Sequence, residues 1–181
     1  MTSLSDMYLV TQVAVFGNKR AFDSLVRKYQ SPVRRFLLHL TLGNEMLSDD
    51  LAQDTFLKAY TSIGQFKGLS SFQTWLFRIA YHSYLDDRRK HADDVSTEDG
   101  IVMDDGARVE DTTLKMDVYS ALSTLKEEER TCVTLQLIDG QPIEHIAKVT
   151  GLPPNTVKSH LRRGKERLTD YLKKNGYDTK R

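Results

Sequence analysis

The stretch IEHIAKVTGLPPNTVKSHLRRGKERL, Ile143 to Leu168, decides the fold of this chain. A short apolar repeat, Ile143, Ile146, Ala147 and Val149, stops at Thr150-Gly151, and a longer repeat follows. The spacing predicts a short helix over Pro142 to Val149 and a longer one from about Pro154 to Lys174. Pro142 and Pro154 fall where a helix tolerates proline, because a first-turn N–H has no intrahelical partner. Short helix, glycine turn and longer helix form a helix-turn-helix. In the longer helix Val157, Leu161, Gly164, Leu168 and Leu172 are spaced by 4, 3, 4 and 4 and make the inward stripe. Lys158, Arg162 and Lys165 lie on a neighbouring face, with Ser159, Arg163 and Arg167 close by. Pro154 to Lys174 holds 7 basic and 2 acidic residues. A helix so charged suits the major groove, where Arg and Lys reach guanine edges and phosphates. A lone basic helix is more often a solvated face. The preceding short helix and Gly151 turn the balance towards DNA.

Working outward, Leu114, Val118, Ala121, Leu122 and Leu125 stripe one further helix. Glu127 to Ile138, with Val133, Leu135 and Leu137 near Cys132, reads as another. Residues 113–181 are therefore expected to form one small helical domain. Upstream lies ADDVSTEDGIVMDDGARVEDT, residues 92–112, with Arg108 as its single basic residue against 8 acidic ones. So few bulky apolar groups cannot offset the entropy of ordering, and the strip is expected to be a flexible acidic linker. Residues 1–91 are helical again. Leu4 to Phe16 is a short candidate, and Ala21 to Leu42 a strong one with a bend expected at Pro32. Leu47, Leu51, Phe56, Ala59, Tyr60 and Ile63 stripe a third helix. Phe72, Trp75, Leu76, Ile79, Ala80 and Ser83 stripe a fourth. Gly43-Asn44 and Gly64 to Ser71 punctuate them. The fold class is all-α: a bundle of about four helices over 1–91 and the helix-turn-helix domain over 113–181.

Composition narrows the function. The 181 residues carry net charge +1, with 39% hydrophobic and 28% charged residues, as in ordinary globular proteins. The near-neutral total hides two blocks with a basic excess around the acidic strip. The longest stretch without a charge is 12 residues, Met7 to Asn18, too short for a membrane span of about 20 residues. The first basic residue is Lys19, so the basic start of a secretory signal is missing. One cysteine, Cys132, excludes an internal disulfide framework, suits a reducing cytoplasm, and is expected to be a small buried residue. His39, His82, His91, His145 and His160 are scattered, and no phosphate loop, HExxH or zinc spacing occurs, so no metal, cofactor or catalytic group is expected.

Two segments of the first block carry chemistry. In DLAQDTFLKAY, Asp50, Gln53, Asp54 and Lys58 are expected on one polar face opposite Leu51 and Phe56. In FKGLSSFQTWLFRIAYHSYLDDRRK, Phe66, Phe72, Trp75, Phe77, Tyr81 and Tyr84 interleave with Lys67, Arg78, Arg88, Arg89 and Lys90. Aromatic faces stack on unpaired bases while cations hold the backbone, the pattern of single-strand binders. Core packing competes for each aromatic and is favoured for Trp75 and Ile79. Phe66, in a loop with Gly and Ser, is more open to a base contact.

These segments in this order resemble an extracytoplasmic-function (ECF) sigma factor of the sigma-70 superfamily. The pieces are AFDSLVRKYQSPV, DLAQDTFLKAY, FQTWLFRIAYHSYLDDRRK, a variable linker and the opening stretch, together nearly the whole chain. The resemblance implies two domains. A region 2 domain would bind the clamp helices of core RNA polymerase and open the promoter −10 element. A region 4 domain would read the −35 element, with the polymerase flap as a further docking point. It implies core-polymerase binding by Asp50, Gln53, Asp54, Phe56 and Lys58. It implies −10 contacts by Phe66, Lys67, Trp75, Arg78, His82 and Arg89, with Phe66 and its loop capturing a flipped base, and matches Asp86 to the helix end beside Arg89. It implies −35 contacts by Thr156, Lys158, Ser159, His160, Arg162, Arg163 and Lys165. An anti-sigma protein is implied as a partner, and a small-molecule substrate is not.

The chain departs from the pattern in places. His82 stands where Asn is usual, which changes the donors and acceptors offered to a base. Leu125-Lys126 replaces Leu-Pro, Asn155 replaces Gly, and His160 replaces a common Arg. Two rivals remain on the residues alone. One is a dimeric helix-turn-helix regulator with an unrelated sensor domain. The other is a helical nuclease using Asp86 and Asp87, although adjacent helical side chains diverge by about 100°.

Overall fold

The computed structural model describes residues 4–94 and 117–177. Their regular structure is helical, with no strand among them. Helix α1 spans Leu4–Phe16 and α2 spans Lys19–Leu40. Between them Gly17 takes φ +62°, and the Asn18 side chain accepts from Ala21 N at 3.3 Å to cap α2. Pro32 lies inside α2, which the structure assigns as one continuous helix. The α2 face Leu25, Tyr29, Val33, Phe36, Leu37 and Leu40 is buried, as a 3.6-residue period requires. Asn44 caps α3, Glu45–Ser62, accepting from Leu47 N at 3.0 Å. The buried face of α3 is small, comprising Ser48, Leu51, Thr55 and Ala59, so α2 and α4 can approach it closely. A 3₁₀ turn, Ile63–Gln65, leads through a loop to α4, Phe72–Asp94.

The second unit starts with α5, residues 117–123. Helix α6, Glu127–Val133, widens into a π turn over Thr134–Ile138 rather than running on as regular α-helix. Helix α7, Ile143–Thr150, follows Pro142. Gly151 ends it at φ +76°, its N–H donating to Ala147 O at 2.9 Å. Helix α8, Pro154–Lys174, begins with proline at its first position. The inward stripe of α8 is buried at Val157, Leu161 and Gly164, but Leu168 is half-buried and Leu172 is exposed. Val118, placed by the periodicity on the inward stripe of α5, is exposed too.

The acidic strip expected at 92–112 lies outside the described residues from position 95 onward. Helix α4 itself continues to Asp94. Despite 22 undescribed residues between them, the two units share one apolar core. Helix α7 lies on α4, and the π turn lies against α2. The ring of Tyr119 covers Gly43, where an added Cβ would stand 2.7 Å from Cε2. Arg130 donates to Leu122 O (3.1 Å), Leu125 O (3.3 Å) and, across the units, Leu40 O (3.0 Å).

Candidate nucleic-acid and docking interfaces

On α8 the side chains of Lys158, Ser159, Arg162, Arg163 and Lys165 are exposed, while Thr156 and His160 are half-buried. The Ser159 hydroxyl donates to Asn155 O at 3.0 Å, and Arg162 pairs with Glu166 at 2.9 Å, both within the helix. Arg163 differs. Its Nε faces Glu129 Oε1 of α6 at 3.4 Å, and its Nη2 lies 3.3 Å from His160 Nδ1. Arg167, one turn on, faces Glu129 Oε2 at 3.5 Å. Lys158, Arg162 and Lys165 thus form an outer row, and Arg163 and Arg167 an inner one.

The aromatic-basic segment divides in two. Phe72, Phe77, Tyr81 and Tyr84 are between 0% and 4% exposed, so these four are core and cannot stack on bases. The packing explains the correction: α4 is buried over about half its circumference, and Phe77 stacks on Phe36 of α2 at 5.0 Å. Burial pushes the Tyr81 phenol up to about 12, with the nearby Glu127 and Glu128 charges adding to it. Trp75 is half-buried and packs with Phe66 (5.5 Å) and Phe72 (5.5 Å). Phe66 meets Phe72 edge-on at 5.6 Å. The structure therefore brings Phe66 and Trp75 together, with Lys67 exposed beside them. Arg78, His82 and Arg89 are exposed along α4, and Arg89 contacts Asp86. The loop after Phe66 touches the second unit, because Lys148 Nζ of α7 donates to Leu69 O at 2.9 Å.

The expected single polar face of α3 is in fact split. Gln53 and Phe56, with Phe22, Val26 and Tyr60, line an open groove of about 830 Å³ between α2 and α3. Asp50, Asp54 and Lys58 line a different cleft, of about 1270 Å³, with Asp86, Arg89 and Arg130. Successive side chains at 50, 54 and 58 stand one turn apart, whereas 53 and 56 fall on the adjoining side. Lys58 Nζ pairs with Asp54 at 2.8 Å, donates to Ser83 Oγ at 2.9 Å and lies 3.9 Å from Asp86.

Several residues were missed by the sequence reading. Glu129 is 1% exposed, Asp139 has a side chain 1% exposed, and Arg35, Arg130 and Lys148 bridge the units. The run Glu127-Glu128-Glu129 looks like a solvated charge cluster. The available signal was spacing: Glu129 stands four residues from both Leu125 and Val133, on an apolar stripe. Cys132 is fully buried, and burial pushes its thiol up to about 12, which leaves it protonated and inert. Among the described residues no group of His, Cys, Asp or Glu could hold a metal, and no helix is long and apolar enough to cross a membrane.

Sigma-70 region 2 matches residues 25–93 and sigma-70 region 4 matches residues 115–168. The ECF RNA polymerase sigma-E factor of Haemophilus influenzae is 33% identical over 93% of this chain and 96% of its own length. The RNA polymerase sigma-H factor of Pseudomonas aeruginosa is 33% identical over 95% of this chain and 96% of its own. Among solved structures, CnrH in complex with the cytosolic domain of CnrY superimposes with a TM-score of 0.73 at 27% identity, covering 95% of this chain and 99% of that one. The sigma factor RpoE of Bartonella quintana, in complex with the anti-sigma factor NepR, gives 0.69 at 26% identity, over 84% and 96%. The chain belongs to the ECF sigma factors of RNA polymerase.

Proposed function

We propose that this chain joins core RNA polymerase, directs it to promoters by reading a −10 and a −35 element, and leaves all chemistry to the polymerase. The observation carrying this reading is a pair of surfaces on separate helical units of a sigma factor. One is the Phe66–Trp75 cluster continued by Arg78, His82 and Arg89. The other is the outer row of α8. The first suits unpaired bases, with stacking and a flipped-base pocket supplying the free energy of opening. The second suits duplex major groove. The groove containing Gln53 and Phe56 suits an apolar docking helix of the polymerase clamp, with Asp50, Asp54 and Lys58 on the adjoining cleft. The cytoplasm, where polymerase works, is the matching compartment. An anti-sigma protein is the matching regulator, in line with the complex of RpoE with the anti-sigma factor NepR.

The test is reconstitution with bacterial core polymerase and a randomised promoter library, followed by run-off transcription. Selection of two spaced elements supports the reading; no RNA from any template rejects it. Phe56→Ala and Asp54→Ala, assayed by polymerase pull-down, separate the two faces of α3. Full retention by both variants removes α3 from the docking surface.

A further inference from the structure

Glu129 is an acidic side chain with 1% of its surface exposed, under the candidate reading helix. Burying a carboxylate is costly unless cations and donors surround it. Its surroundings are specific. Oε1 faces Arg163 Nε, Oε2 faces Arg167 Nη1, and Oε2 also accepts from Lys126 N at 3.2 Å. Both cations come from α8, one turn apart, and both lie on the same side of that helix. Beside them Gly164 lets α8 sit directly on α6, where a Cβ would be 2.7 Å from Val133 Cγ2 and 3.5 Å from Glu129 Cβ. Apolar stripes fix which side of a helix faces in, but they tolerate rotation about its axis. Two charged struts from one buried point do not.

We propose that Arg163 and Arg167 are positioning residues for −35 recognition: anchored on Glu129, they set the rotation of α8 so that Lys158, Arg162 and Lys165 face the major groove. The inference rests on the reading of α8 as the −35 helix. It reassigns Arg163, whose sequence position suggests a DNA contact, to an internal role. Glu129 is buried beneath α8 and cannot touch DNA, so any effect of altering it on base discrimination passes through α8 and the two arginines it holds, and the salt slope separates helix placement from a new arginine contact.

The experiment uses the full chain in holoenzyme with core polymerase. The probe is a promoter selected from a randomised −35 library, compared with the same promoter carrying a scrambled −35 element. Glu129→Gln keeps the shape and an acceptor for Lys126 N while removing the charge. Glu129→Gln, Arg163→Ala and the double variant are expected to lower the selected-to-scrambled affinity ratio by a similar factor, about tenfold, the worth of one mismatched base pair. The double variant is expected to be no worse than either single one. The salt dependence of binding is expected to stay unchanged, since no phosphate contact is lost. Arg167→Ala, at a partly exposed position, repeats the test if Glu129→Gln fails to fold, and Arg163→Lys is expected to rescue only in part. Wild-type discrimination in Glu129→Gln or Arg167→Ala overturns the proposal. So does a fall of about one in the salt slope for Arg163→Ala alone, which marks a phosphate contact. If the wild-type holoenzyme selects no −35 sequence, and Lys158→Ala and Arg162→Ala are also silent, the reading of α8 itself fails and takes the proposal with it.

Discussion

The guanidinium of Arg35 lies 3.1 Å from Oδ1 of Asp139, tying α2 to the end of the π turn across 104 residues of sequence. The Asp139 side chain is 1% exposed, and its other oxygen, Oδ2, is buried with no hydrogen-bond partner. Thr134 Oγ1 and Gln136 Oε1 of the π turn are likewise buried with no hydrogen-bond partner. Unpaired buried polar atoms are rare and costly. This seam is therefore weaker than its apolar area alone suggests. The function gives that weakness a purpose. Elements centred about 25 base pairs apart are separated by roughly 85 Å at about 3.4 Å per pair. A folded body of roughly 150 residues has a radius of gyration of only about 15 Å. On the proposed function, a packed form of this size would not reach both elements at once, and the units are expected to part on the promoter.

Arg35→Ala should open the seam. It leaves a buried carboxylate without its cation, a loss of about 1–3 kcal/mol from the docking of the two units. Small-angle scattering should show a larger radius of gyration than wild type at the same salt. An unchanged curve would mean that apolar packing around Tyr119 and α7 closes the molecule unaided.

The sequence made some of this legible and hid the rest for a physical reason. Helix periods announced α2, α7 and α8, because each buries one clear apolar stripe, whereas α4 also buries Phe77, Tyr81 and Tyr84 off its expected stripe. Gly151 announced the turn, because a left-handed helix end favours glycine. The division of α3 into two surfaces was not legible: its polar residues look alike in composition, and only the neighbours of α3 decide which of them meet. The π turn was not legible either, since it shifts the register of an otherwise regular apolar pattern. Glu129, Asp139 and Arg35 act through tertiary pairing, which local sequence does not encode. The Phe66–Trp75 cluster was half legible. The aromatic run was visible, yet four of its rings serve the core.

Asp6 should matter more than its place in a terminal helix suggests. It is 3% exposed, 2.6 Å from Lys28 Nζ, and accepts from the Tyr29 hydroxyl at 2.7 Å. Burial and this carboxylate hold the Tyr29 phenol well above its ordinary range. Asp6→Ala leaves that buried hydroxyl unpaired and should cost about 1–3 kcal/mol, with Tyr29→Phe costing about 1 kcal/mol. Thermal melts of the two single variants and the double variant measure the coupling. Strict additivity would show that the pair contributes nothing jointly.

Stability should fall as the solution is acidified below about pH 7. Burial, helped by the Arg35 charge, holds the His39 imidazole below its ordinary value of 6.5, and burial lowers His145 as well. A depressed histidine is neutral in the fold. Its contribution is complete above the unfolded value and is lost as pH drops through 6.5 towards the folded value. Asp139 has the opposite sign, since burial raises its carboxyl, so it softens the acid limb and cannot create it. Urea midpoints from about pH 8 to pH 5.5 should decline for wild type and less steeply for His39→Asn. Parallel slopes for the two proteins would remove His39 as a source.

Gly164→Ala pits local preference against packing. Alanine in a helix interior is favoured over glycine by about 1 kcal/mol. Here the new Cβ would lie 2.7 Å from Val133 Cγ2, closer than van der Waals contact allows, and Val133 is 1% exposed with little room to turn. Overpacking of this kind costs about 1–3 kcal/mol, so the net effect should be loss of stability. Val133→Ala removes the colliding methyl groups and by itself costs stability through a cavity. Combined, the two changes should cost less than the sum of each alone, because the added methyl of residue 164 occupies part of the space vacated at 133. Urea unfolding of the three variants gives that coupling, expected at about 0.5–3 kcal/mol. An additive pair would mean that α6 and α8 move apart to admit the extra carbon. The Glu129–Arg163 pair, 3.4 Å apart in the starting structure, should then loosen with them and base discrimination at the −35 element should fall in step.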